Sequence, residues 1–375
     1  MNKTKFIGYR PTWAEINLGN LVYNFNQIKR LVASGVKIMA CVKADAYGHG
    51  LIPVSKKLVE CGLDYLGVAS VDEAIRLRKA HIRIPILVLG VSSNKEILPI
   101  IRYNITPTLC SWDFAYALNK VSQKESRRIK VHIKVDTGMG RIGILFKDAF
   151  RFISDVHRLR NINIEGVFTH FPCADIDRDF TLHQIHLIKG LISHLKKAGF
   201  HIPLFHAANS LGIVDYKESH FNMVRPGLIL YGLYPKDGLN LKLKPVLSLK
   251  TKVAYIKHLP KGYGISYGRT YTTKRQTTVV TLPIGYGDGY PRNLSNQAPV
   301  LINSKRFRIS GRICMDQIMV DVGSYPVKIE DEAVLIGSQG KYKITAEELA
   351  RLSGTIPYEI VCGLGSRIPR IYISD

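Results

Sequence analysis

From about residue 10 to residue 235 the chain repeats one unit, a short and nearly continuous apolar run followed by an amphipathic helical stretch. Eight apolar runs occur, at 37–43, 65–69, 84–89, 105–109, 131–135, 164–169, 204–207 and 223–229. Helical patterns lie between them at 21–33, 52–61, 71–80, 95–102, 112–121, 147–159 and 182–198. A strand that is apolar at nearly every position has no face for water, so it must be covered on both sides. Strand–helix alternation repeated eight times predicts closure into a (β/α)8 TIM-type barrel. An open doubly wound sheet is the competing arrangement. The count favours closure, and no G-x-G-x-x-G follows the first run to support a dinucleotide-binding sheet.

After about residue 240 the texture changes. Segments 246–257, 277–283, 298–302, 307–313, 317–322 and 332–336 read as short strands separated by turn residues, with one helix at 345–352. The chain is therefore expected to be α/β, with an N-terminal barrel over 10–240 and a mainly β domain over 241–375. Residues 1–9 are expected to pack with the second unit. With 375 residues, 46% of them hydrophobic, there is ample material for such a core.

Composition narrows the function classes. No apolar stretch follows the charges of the first residues, so no signal peptide is expected. No run approaches the ~18 apolar residues of a membrane span. The six cysteines are scattered, with no C-x-x-C pair, so neither structural zinc nor a disulfide framework is expected, and a cytoplasmic setting fits. The net charge of +24 would suit nucleic acid, but Lys and Arg are spread along helix faces rather than gathered in a block, so no nucleic acid partner is expected.

In barrels of this kind the chemistry sits at the C-terminal ends of the strands. The first run delivers Lys43 there, with Tyr47 after it. Later runs lead into Asp136–Arg141, His170, His206 to Ser210, and Arg225-Pro226-Gly227. A lysine held in an apolar setting becomes a usable amine nucleophile, as a Schiff base with a carbonyl cofactor requires. The loops after the last two strands favour phosphate. Ser210 offers a hydroxyl there, and Gly227 and Leu228 offer backbone N–H groups. An aldehyde carrying a phosphate describes pyridoxal phosphate. Taken singly, Lys43 reads equally well as a lysine reaching solvent, and Ser210 as a helix cap.

Over nearly its full length the chain resembles the alanine racemases, fold-type III pyridoxal phosphate enzymes. The resemblance is carried by Lys43 with Ala44-Asp45-Ala46-Tyr47-Gly48-His49-Gly50, Lys134-Val135-Asp136-Thr137-Gly138-Met139-Gly140-Arg141, and Thr169-His170-Phe171. It continues through His206-Ala207-Ala208-Asn209-Ser210, Val224-Arg225-Pro226-Gly227, Ile265-Ser266-Tyr267-Gly268, Gly285-Tyr286-Gly287-Asp288 and Gly311-Arg312-Ile313-Cys314-Met315-Asp316. It implies that Lys43 carries the cofactor and acts as a base on one face of the substrate, with Tyr267 of a second copy of the chain on the other face. Tyr47, Ser210, Gly227 and Leu228 would bind the phosphate, Arg225 would face the pyridine nitrogen, and His170 would lie near the ring. Arg141 and the Met315 N–H would hold the substrate carboxylate, and Tyr286 from the partner would line the entrance. Lys134 matches a lysine that the family carbamylates. The implied protein is a homodimer supplying D-alanine for peptidoglycan.

One position departs from the family pattern. Ser366 stands where many members have a tyrosine. A smaller residue there would widen the site, which leaves serine as an alternative substrate. A fold-type III amino-acid decarboxylase is a further alternative, against which the motifs around Tyr267 and Met315 speak.

Overall fold

A computed structural model describes residues 9–374. The expected packing of residues 1–9 on the second unit therefore falls outside the described residues, Tyr9 excepted.

The barrel is present and nearly closed. Its parallel strands are Lys37–Cys41, Tyr65–Val68, Ile86–Val91, Thr106–Leu109, Ile129–Asp136, Ile162–Phe168, Leu204–His206 and Met223–Val224. They pair in chain order, and Met223–Val224 returns to pair with Lys37–Cys41. The remaining seam, between the last two strands, is stitched by main-chain bonds from the Asn222 and Arg225 N–H groups to the carbonyls of Phe205 and Ala208, and by the Asn222 side chain. Phe205 donates its N–H to the Asn222 side-chain oxygen at 2.7 Å, and the Asn222 amide donates to the Pro203 carbonyl at 2.6 Å. The helices start where polar side chains cap them: Ser70 accepts from the Glu73 N–H, Ser111 from Phe114 and Asp177 from Phe180.

Several boundaries differ from expectation, among them the strand expected at 307–313, which runs instead over Lys305–Arg308. The run at 37–43 is a strand only to Cys41. Ala44, Asp45, Ala46 and Tyr47 then all take left-handed φ values of 52–55°, so Lys43 heads a left-handed turn. The run at 223–229 is a strand only at Met223–Val224. Pro226 has no N–H to continue a ladder, and the chain turns into a short helical segment, Leu228–Tyr231. Finally, Thr12–Asn17 falls within the expected barrel span from residue 10 but belongs to the other sheet. It lies between Leu247–Lys252, antiparallel, and Arg370–Ile373, parallel. Its partners lie hundreds of residues away, so no local pattern reveals the pairing.

The second domain holds that larger sheet and a three-stranded one. The expected strand at 246–257 divides between them as Leu247–Lys252 and Tyr255–Leu259. The switch occurs at Val253 and Ala254, whose N–H groups go to Asp331 and to Thr281 respectively. A small hairpin, Gly264–Ile265 with Tyr271–Thr272, carries Tyr267 in its connecting turn.

Candidate active site

A cavity of about 430 Å³ opens at the C-terminal mouth of the barrel. Lys43, Tyr47, Lys134, Arg141, His170, Ser210, Arg225, Gly227 and Leu228 all line it. Tyr267 and Met315 do not. They line a separate, open depression with Ser266, Cys314 and Asp316. The chain thus carries two separate halves of the expected site.

Local structure explains how each half is held. The left-handed turn after Lys43 is unfavourable by roughly 1–2 kcal/mol per residue. It is pinned by side chains: Glu73 accepts from the Ala44 N–H at 2.7 Å, and Asp45 accepts from the Leu51 N–H at 3.0 Å. The turn leaves Lys43 half-buried at the rim and swings Tyr47 inward. Tyr47 stacks on Tyr231 at 4.9 Å, and burial pushes its phenol well above the ordinary tyrosine value. A Cβ at Gly227 would lie 2.6 Å from the Tyr47 hydroxyl, so only glycine fits under it. The Gly227 N–H donates to the Ser210 hydroxyl at 3.2 Å. Ser210 is not the helix cap. Asn209 takes that role, accepting from the Gly212 N–H, which leaves the Ser210 hydroxyl to the cavity.

Arg225 is buried at 4% exposure. Its guanidinium donates to His206 Nδ1 at 2.8 Å and to the carbonyls of Thr169 at 2.7 Å and Ala207 at 2.8 Å. It also approaches His170 Nδ1 at 3.5 Å. Burial brings the Arg225 value down to about 10, which still leaves it charged at neutral pH. Burial and then the charges of Arg225, Lys134, Arg141 and Lys43 hold the His170 imidazole well below its usual range.

Lys134 is the more unusual lysine. It is 2% exposed, and its amine has no hydrogen-bond partner among the described residues. Asp136, the nearest carboxylate in sequence, is engaged with the N–H groups of Gly138, Met139 and Gly140. Burial, then the charges of Arg225 and Arg141, push the Lys134 amine well below the usual lysine value. An orphaned, buried amine beside an exposed arginine is a chemistry that addition of carbon dioxide would satisfy.

The other half is equally constrained. Ser266 takes a φ of +63° and donates to the Arg312 carbonyl at 2.5 Å, presenting Tyr267 at 67% exposure. Tyr286 and Gly287 donate their N–H groups to the carbonyls of Cys314 and Met315, which ties the Tyr286 and Met315 loops together. The buried Asp288 anchors them, accepting from Arg10 through both oxygens at 2.5 and 2.7 Å. Ser366 is exposed and lines neither cavity.

The cavity residues fit pyridoxal phosphate. A rim amine, a cradle of hydroxyls and N–H groups under a glycine, and a buried cation at the far wall match its aldehyde, phosphate and ring nitrogen. Sequence reasoning missed His132 and Glu165, which stand behind Arg225. The signal was available: Lys130, His132 and Lys134 alternate with Ile129, Val131, Ile133 and Val135, giving a polar inner face to a barrel strand.

Residues 16–235 match the family model for the alanine racemase N-terminal domain, and residues 246–372 the model for its C-terminal domain. The chain is 50% identical over 372 residues to an alanine racemase of Halothermothrix orenii, covering 97% of each. Among solved structures it is similar to alanine racemase of Clostridium difficile 630, with a TM-score of 0.93 at 41% identity over 98% of this chain and 97% of that one. The Bacillus anthracis alanine racemase with bound L-Ala-P is similar at a TM-score of 0.93 and 39% identity, covering 99% of this chain and 97% of that one.

Proposed function

The chain belongs to the alanine racemase family, and from that premise we propose how its residues interconvert L-alanine and D-alanine. The activity is that of an isomerase dependent on pyridoxal phosphate. The broader serine racemase and decarboxylase readings are not favoured by these relationships. The observation that carries the assignment of roles is the convergence of Lys43, Ser210, Arg225 and Gly227 on one cavity.

When bound, the cofactor supplies an electrophilic aldehyde carbon and a ring that accepts charge from the substrate α-carbon. Lys43 would hold it through its amine. Tyr47, Ser210 and the N–H groups of Gly227 and Leu228 would hold its phosphate. Arg225 would donate to the ring nitrogen while keeping its own proton. That limits how much charge the ring accepts and so disfavours side reactions such as transamination. His170 would lie beside the ring. Arg141 and the Met315 N–H would hold the substrate carboxylate, and a carbamate on Lys134 would steady Arg141.

Racemisation takes a proton from one face of the α-carbon and returns one to the other. Lys43 and Tyr267, on opposite faces, would do this without turning the substrate over. Their placement in separate cavities of one chain favours a homodimer in which each site borrows Tyr267, Tyr286 and Met315. The setting we favour is the cytoplasm, with D-alanine supplied for peptidoglycan. Mixing Lys43→Ala chains with Tyr267→Phe chains tests the sharing. Exchange of subunits should restore racemisation, because one of the two sites regains both groups. Mixed dimers that stay inactive would reject it.

A further inference from the structure

The barrel interior is split in character. One side is apolar, with Met39, Leu87, Leu204 and Met223 packed together. The other side carries a line of buried polar groups running away from Arg225 toward the opposite rim. His206 Nε2 lies 2.8 Å from His132 Nδ1, and His132 Nε2 faces Glu165 Oε2 at 3.4 Å. Neither of those last two atoms has another hydrogen-bond partner among the described residues. Glu165 is 6% exposed, and its other oxygen accepts from Lys130 at 2.6 Å, where the line reaches solvent.

The donors in this line can point only one way. Arginine donates and never accepts, so His206 Nδ1 must carry a lone pair and Nε2 the proton. His132 Nδ1 then accepts, and its proton is also on Nε2, aimed at the carboxylate. Both rings are neutral: burial and the Arg225 charge lower His206, and burial outweighs Glu165 at His132. Burial alone would raise the Glu165 carboxyl, but hydrogen bonds from His132 and Lys130 bring it down to about 2. The rings have little freedom. Phe168 stacks on His206 at 4.8 Å with planes 2° apart, and a Cβ at Gly166 would lie 2.6 Å from the His132 ring.

We propose that Glu165 is a positioning residue for the racemase reaction, acting through His132 and His206 to keep Arg225 aimed at the cofactor ring. This rests on the reading of Arg225 as the partner of the pyridine nitrogen. The order that Arg225 requires leaves a proton on His132 Nε2, and only an acceptor at the far end satisfies it. In Glu165→Gln, Lys130 claims the amide oxygen and the amide N–H group faces His132 Nε2. Both histidine protons must then move to Nδ1, and His206 presents a proton to the Arg225 guanidinium. Removing Lys130 as well lets the introduced amide turn its oxygen back to His132. Tyr65, whose hydroxyl is influenced by the neighbouring Glu165, can accept as readily as donate, so it does not oppose that turn.

The test is nitrogen-15 NMR of histidine-labelled holoenzyme, with titration of pyridoxal phosphate into each variant. Wild type should show His132 and His206 protonated on Nε2. Glu165→Gln should move both protons to Nδ1 and weaken cofactor binding roughly tenfold or more, the cost of an opposed buried donor. Lys130→Met with Glu165→Gln should restore both signals, a rescue that loss of packing alone would not produce. An Nδ1 proton on His206 in wild type, or unchanged tautomers in Glu165→Gln, would overturn the proposal. Should Glu165→Gln not fold, the wild-type tautomers decide. Wild type that shows the Nε2 pattern but does not racemise alanine would count against the functional reading and not against the ordering of the histidines.

Discussion

Replacing Gly227 with alanine tests the phosphate cradle most directly. The added Cβ would sit 2.6 Å from the Tyr47 hydroxyl and 3.2 Å from its ring carbon, close to 1 Å inside ordinary contact for the oxygen. Tyr47 has nowhere to withdraw within the protein. It is 7% exposed, stacked on Tyr231 at 4.9 Å and flanked by Tyr358 at 5.8 Å. Its one escape is into the cavity, where the phosphate would lie. Relief of the clash and cofactor binding therefore compete for the same space. Overpacking of this kind costs about 1–3 kcal/mol, or roughly 5- to 150-fold in the dissociation constant of pyridoxal phosphate. Tyr47→Phe alone should also weaken binding, by the loss of a hydrogen bond worth about 1.5–3 kcal/mol to a charged group. It removes the atom that clashes, so the double variant should lose less than the sum of the two. Absorbance titration of cofactor into the four proteins measures each constant. Gly227→Ala binding as tightly as wild type, or strict additivity in the cycle, would refute the cradle.

Other perturbations read different parts of the site. Tyr267→Phe should lower racemisation by about 10²-fold or more yet leave cofactor affinity unchanged, because the groups assigned to the cofactor's aldehyde, phosphate and ring nitrogen do not include Tyr267; spectroscopic titration beside a chiral assay separates the two. Lys134, with a folded value below the unfolded ~10.5, binds fewer protons folded than unfolded between those values, so stability should rise with pH through that window. Lys134→Met should flatten that rise, as read from urea midpoints in buffers free of carbon dioxide. Ala44 is exposed at a φ of 52°, so Ala44→Gly should raise stability by about 0.5 kcal/mol, the relief of left-handed strain less the extra freedom of the unfolded chain. Ala117→Gly, in the right-handed helix Trp112–Lys124, should lower it by about 1 kcal/mol. The two alanines shifting the midpoint in the same direction would contradict the left-handed turn.

The barrel's strands and helices, the rim position of Lys43 and the gathering of Ser210, Arg225 and Gly227 at the same mouth were legible in the linear chain. These follow from what adjacent residues do: continuous apolar runs must be covered on both faces, period-3.6 stretches must cover them, and strand ends present polar residues on one rim. The tertiary structure decided the rest. It placed Thr12–Asn17 in the second sheet, because strand pairing is settled by partners near both ends of the chain. It left the Lys134 amine without a hydrogen-bond partner among the described residues, because Asp136 spends its oxygens on the backbone. It set Tyr267 apart from Lys43, and it lined up His206, His132 and Glu165 behind Arg225. Periodicity is a property of neighbours along the chain. Burial, charge and donor direction depend on groups that only the closed barrel brings within a few ångströms of one another.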